Sequence, residues 1–391
     1  MKAFAIKGFS RILATAISVG IAAWSGGVAC TRNIPAGSEP RAHRMAPPSA
    51  DEAYCAWFAD SRDDVLYFGM SAFWSTFRAA GGDPRADLAT PGPQWIGRFD
   101  LATETPLPPI DLGPPRSAAG PWDVLAGPDR VYFSDYFGIS GYTEPATGRT
   151  VRFEGLGAGL NEWAWGPDGS ILVTRYGYGS GSDGAAEIVV LEPDGTLRAQ
   201  LRLDGPEGFH PAPKSLAWDP VRREIWVNTD LLPDSDAAHH AVEDVQHDTR
   251  VLDEGGRERA RFTDPQVHFM RFGPDGTGYF AEVQGSLLHL RVRSAEQAAS
   301  SPVLTGLRIP LDDAFSAEAD FVQDIQIGQD GTAIVTRWSG KIHLVARDGG
   351  VRTLELPRGS GDLYYTAVLR KGRVCATRCG DLAVVCRDAD G

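Results

Sequence analysis

The residues of this chain able to do chemistry stand at fixed distances from a recurring turn of Gly, Pro and Asp. Five residues before the turn come Trp122, Asn161, Lys214, His268 and Gln323. Four residues past the start of the following strand come Gly69, Asp135, Arg175, Thr229, Glu282, Arg337 and Arg378, with Asn228, Asp230 and Asp324 beside these positions. Arg175, Arg337, Arg378 and Lys214 outnumber Asp135 and Glu282, and guanidinium groups grip carboxylates and sulfates through two parallel bonds. Such a set suits an anionic small molecule, such as a carboxylate, a sulfate or an acidic sugar, or an acidic patch on an envelope protein. His268 and Glu282 would form a general acid/base pair if their side chains meet. The same residues also suit a plain channel rim, where polar side chains bond one another and ordered water.

A metal is the third chemistry on offer. In DSDAAHHAVEDVQHD (234–248) a short helix capped by Asp234 or Asp236 would put His239, Glu243 and His247 on one face, a spacing that can hold zinc. GYGSGSDG (177–184) lacks the lysine and following helix of a phosphate cradle and reads as a loop.

The elements that must position these residues follow from the turns. Six passages share one layout: AGPDRVYFSDYFG (126–138), WGPDGSILVTRYG (165–177), WDPVRREIWVNTD (218–230), FGPDGTGYFAEVQG (272–285), IGQDGTAIVTRWSG (327–340) and LRKGRVCATRCG (369–380). SRDDVLYFGMSAFWS (61–75) is a looser seventh. Proline presets φ, aspartate bonds its own backbone and glycine takes the positive φ that closes a hairpin, so each passage reads as strand, turn, strand. Third and fourth strands follow, as in AEIVVLEPDG then LRAQLRL. A lone four-stranded unit buries too little to be stable, so the units must stack in a ring. The expected fold is all-β: one propeller of about seven four-stranded blades over 51–391, with six as the alternative. Trp163, Trp165, Trp218, Trp226 and Trp338 would fill the space between blades.

In this layout the sequence resembles the NHL-repeat and gluconolactonase-like propellers across nearly the whole of 51–391. That resemblance implies a calcium-like divalent cation at the channel mouth, held by glutamate, asparagine and aspartate. Asn161, five residues before GPDG, resembles one ligand position. Lys214, His268 and Arg175 depart from the pattern, and cations repel a divalent metal. The resemblance extends to the virginiamycin B lyases, which use a histidine as general base beside magnesium; His268 with Glu282 would take that part. The scaffold carries lyases, lactonases and pure binding proteins, so a non-catalytic envelope scaffold is a further reading.

The first 29 residues read as a secretory signal: Lys2, Lys7 and Arg11 precede an apolar run from Ile12 to Ala29. Gly27-Val28-Ala29-Cys30 resembles a lipobox, in which Cys30 would be lipidated and hold the protein at a membrane. Residues 30–50, with four prolines, read as a disordered tether. An exported protein can oxidise Cys55, Cys375, Cys379 and Cys386, and four cysteines allow three pairings. A bond from Cys55 to the terminal trio would latch a ring whose first and last blades are neighbours. The net charge of −13 repels phosphate backbones and argues against nucleic acid as a partner. The expected product is a monomeric ring outside the cytoplasm.

Overall fold

The computed structural model describes residues 39–46, 55–71, 94–114, 120–135, 138–175, 186–233, 246–263, 267–284, 287–293, 305–310, 322–359 and 363–390. These form seven antiparallel four-stranded sheets. Six are consecutive in sequence. Their innermost strands are Cys55–Arg62, Asp123–Ala126, Leu160–Trp165, Phe209–Asp219, Val267–Phe272 and Val322–Ile327, which define blades I to VI. The inner strands touch in order around a closed circle, blade VII meeting both VI and I.

Blade VII takes three strands from the C-terminus, Leu363–Arg370, Arg373–Cys379 and Ala383–Asp388, and its outermost strand from Arg41–Arg44. Residues 41–44 are therefore a strand, whereas the sequence pattern places them in the tether. The reason is edge pairing: Ala383–Asp388 would otherwise present unpaired backbone groups, and Arg41 to Arg44 pair with Cys386 to Ala383. Met45 follows into the core between blades VII and I. Disulfides join Cys55 of blade I to Cys379 of blade VII and Cys375 to Cys386 within blade VII. The first closes the same seam covalently, across a separation of 324 residues.

The turns use their residues as the backbone requires. In GPDG (166–169), Asp168 and Gly169 both have positive φ, 56° and 77°. Between the blades, the space is filled by aromatic and aliphatic side chains. Trp163 packs with Tyr132, Leu125 and Tyr142 between blades II and III, and Trp226 with Phe272, Phe280 and Met270 between IV and V.

Candidate functional site

Six of the seven inner strands carry a bulge, close to the end from which the strand enters the ring in five and in mid-strand in blade IV. A bulge sets one more residue on its strand than on the partner and re-aims a side chain. In blade IV the extra residue is Lys214, between the pairs Pro213↔Thr229 and Ser215↔Asn228. In blade V it is His268 and in blade VI Gln323. In blade III, Asn161 and Glu162 together face Thr174. Of the residues counted off from the turns, Asn161, Lys214, His268 and Gln323 thus lie in bulges and Trp122 does not, and in blades II, III and VI the next residue, Asp123, Glu162 or Asp324, joins the hub at the channel axis.

Those axial side chains stitch the ring together. The Ala59 N–H donates to Thr366 Oγ1 at 3.2 Å across the seam from blade I to VII. Ala126 N–H donates to Asp60 at 2.8 Å, Trp163 N–H to Asp123 at 3.0 Å, and Leu216 N–H to Glu162 at 3.1 Å, so each acid caps the next blade's inner strand. The Asn228 amide donates to the Val267 carbonyl between blades IV and V. Arg271 of blade V reaches Asp324 of blade VI at 3.5 Å, and Thr366 Oγ1 donates to Asp324 at 2.8 Å. Arg271 also crosses the channel to Glu162 of blade III.

This hub sets four carboxylates, Asp60, Asp123, Glu162 and Asp324, around one guanidinium. Burial raises Asp60 to about 6 against its backbone donors, with the Asp324 charge adding to the rise. Burial likewise raises Glu162 to about 7, although Arg271 opposes it. Asp123 is pushed well above the carboxylate range by burial and then by Glu162. Burial works against the charge of Arg271, but Glu162 and Asp324 outweigh it and hold the guanidinium protonated. The signal that would have found the hub is plain afterwards: Asp123, Glu162 and Asp324 each stand four residues before the turn glycine.

At the channel end the cationic residues are matched one by one. Arg175 is buried and bound to Glu187 and the Leu156 carbonyl. Arg378 makes two bonds to Asp381, at 2.9 and 2.7 Å, and one to the Pro357 carbonyl. Arg337 is buried beneath the surface at 1% exposure. Asp135 accepts from the Gln94 amide at 3.1 Å and from Ile139 N–H at 2.8 Å. Glu282 is buried and paired with Arg291 at 2.6 Å. The side chain of His268 lies outside the described residues; its backbone follows Val267, the residue paired with Glu282.

Blade IV is built differently. Asp230, with 1% of its side chain exposed, holds Lys214 Nζ at 2.9 Å on one oxygen and His247 Nδ1 at 2.8 Å on the other. Burial opposes the charge of Asp230, but Lys214 and His247 outweigh it and hold the carboxyl at about 2. Lys214 and His247 keep 36% and 19% of their side chains exposed. The Asn161 amide of blade III donates to the Lys214 carbonyl at 3.1 Å and fixes the bulged peptide. His247 lies on the strand Gln246–Asp253, not on the helix that its spacing from His239 and Glu243 suggests, because the strand pairs Gln246 to Asp253 with Leu231 to Glu224. His239 and Glu243 lie outside the described residues.

A divalent cation does not fit the described donors at this end. Asp230, Glu187 and Glu282 are each neutralised by a basic side chain, and Asp135 already accepts two hydrogen bonds. Among the described residues one group of ligand-type atoms converges elsewhere, His43, Glu104 and Cys386. There Cys386 is in a disulfide and Glu104 is paired with Arg373, so it is no free metal site.

The chain is similar in fold to streptogramin lyases. A catalytically inactive histidine-to-alanine variant of virginiamycin B lyase from Staphylococcus aureus, with quinupristin, matches with a TM-score of 0.60 and 12% identity, over 89% of this chain and 99% of that one. A streptogramin B lyase structure matches with 0.57 and 12%, over 89% and 96%. The β-propeller domain of Cps50 (Swd1) from Myceliophteria thermophila matches with 0.57 and 10%, over 89% and 99%. At such identities the likeness is one of fold alone. No family model and no curated protein matches the chain.

Proposed function

We propose that this chain is a membrane-tethered propeller outside the cytoplasm that binds an anionic small molecule at the channel end of blade IV. One observation carries the reading. A buried aspartate holds two basic side chains that stay partly exposed. Lys214 has three N–H donors and spends one on Asp230. His247 donates through Nδ1 and turns its other ring nitrogen away from Asp230. A carboxylate or sulfate placed there gains a charge-assisted bond from Lys214, and a second from His247 Nε2 when the ring is protonated. The two disulfides support a location in an oxidising compartment. Signal removal before Cys30 and lipidation there belong to the same proposal, as do the NHL-repeat and gluconolactonase-like kinship and a monomeric state.

The test is thermal melting of the protein with citrate and with galacturonate. Both raise the melting temperature of the wild type by mass action, and Lys214→Met removes most of the shift. An equal shift in Lys214→Met overturns the reading.

A second reading is favoured by the lyase neighbours, one of which is inactive after loss of a histidine. His268 stands in the bulge of blade V, beside the Val267–Glu282 pair. In this reading it would accept a proton from a bound substrate. His268→Ala with undiminished turnover on quinupristin would end this reading, as would the absence of turnover in the wild type.

A further inference from the structure

We propose that the opposite, turn-side end of the channel carries a second site, for a primary ammonium on a short apolar chain that ends in a carboxylate. A cavity of about 350 Å³ opens there between the inner strands of blades VI, VII and I. It has room for roughly ten water volumes, more than a straight chain of five or six carbons needs.

The lining is mixed. Asp60 and Gln326 line it on the hub side, partly buried Leu369 with Val368 and Ile334 beneath gives it an apolar stretch, and Arg62 is half-exposed. The inner end offers acceptors. Asp60 takes one backbone N–H on each oxygen, from Ser61 at 2.7 Å and Ala126 at 2.8 Å, and each oxygen keeps a further lone pair. Gln326 turns its amide hydrogens inward, to Asp324 at 2.7 Å and the Ala59 carbonyl at 3.4 Å, which leaves its carbonyl oxygen as its remaining function. Behind these lies the hub, where four carboxylates surround one guanidinium. An ammonium at the inner end meets acceptors and, above about pH 6, the charge of Asp60, whereas an anion at that end meets repulsion.

The rim selects the other end of the ligand. Arg370 also borders the cavity, but it is engaged by Asp64 at 2.7 Å. Arg62 is half-exposed and only 4.0 Å from Asp63, a long contact that leaves its guanidinium able to turn to a ligand carboxylate. Asp60, raised to about 6 by burial, is charged above that pH, so capture strengthens from acid toward neutral conditions.

The experiment is isothermal titration of the full protein at about pH 8 with 5-aminovalerate, n-butylammonium and pentanoate. The expected order is 5-aminovalerate in the millimolar range, n-butylammonium about threefold to fivefold weaker, and no heat from pentanoate. Arg62→Ala brings 5-aminovalerate down to the level of n-butylammonium, and Asp60→Asn removes both. Absence of heat from either amine, binding of pentanoate as tight as that of the amines, or unchanged binding in Asp60→Asn each overturns the proposal. Should Asp60→Asn fail to fold, Leu369→Trp fills the cavity from its partly buried wall; binding must then disappear, and its survival overturns the proposal as well.

Discussion

The hub and the rim of blade IV are both organised by buried carboxylates, and they use them in opposite ways. Glu162 at the hub spends its oxygens on the next blade's backbone and on Arg271, which also reaches Asp324 of blade VI. Asp230 at the rim spends its oxygens on two side chains that remain partly exposed. Acids at the hub therefore hold blades to blades, while the acid at the rim joins two side chains of its own blade. Substitution should separate the two. Glu162→Ala leaves Arg271 without its partner across the channel and strands the Leu216 N–H, and loss of one member of a buried pair costs about 3–5 kcal/mol. Lys214→Met at the rim costs about 1 kcal/mol or less, as for partly exposed pairs. Urea unfolding of both variants measures the difference, and equal costs would erase the distinction.

Protons separate the same two regions. Asp60 and Glu162 have native values of about 6 and about 7 against ordinary values of 3.8 and 4.5. The native hub thus holds protons that the unfolded chain has already released, and its contribution is full in acid and lost as the pH rises through 6 and 7. Asp230 runs the other way. Its native value of about 2 lies below the ordinary 3.8, so its contribution is present above about pH 4 and lost as the pH falls toward 2. The stability optimum is accordingly expected near pH 4–5, with a loss of about 2–4 kcal/mol by pH 8, read from urea midpoints. Asp60→Asn and Glu162→Gln should flatten the alkaline side and leave the acid side in place. A flat profile in the wild type would show that the hub carboxylates stay ionised.

The blades were legible in the sequence because each is announced by its own turn, and GPDG or GQDG fixes a hairpin whatever surrounds it. The channel residues were legible only to within one position. A bulge inserts one residue into the inner strand, and because side chains alternate along a strand, a count made on a regular strand lands on the bulge. The count therefore gave Asn161 and Gln323, while their successors Glu162 and Asp324 reach the axis. The outer strand Arg41–Arg44 was not legible for another reason: RAHR has no apolar alternation, and it is a strand only because blade VII offers it an edge. His247 was visible as a candidate ligand, but its partner is Asp230, seventeen residues back and directly across the sheet. Cross-strand pairing of that kind depends on the length of the connection, which composition does not reveal.

The smallest effect expected is also the one that sharpens the comparison most. Asn161 sits at the rim but bonds like a hub residue, donating its amide to the Lys214 carbonyl of the next blade. Asn161→Ala removes one partly buried hydrogen bond and should cost about 1 kcal/mol or less. If the rim is built to present Lys214, the loosened bulge should weaken citrate binding by more than that change in stability accounts for, as read by calorimetry. The double variant Asn161→Ala, Lys214→Met tests the route, because residues acting through one donor are not additive. It should bind citrate no worse than Lys214→Met alone. Additive losses would mean that Asn161 meets the anion itself, and a loss of stability as large as that of Glu162→Ala would place Asn161 with the hub.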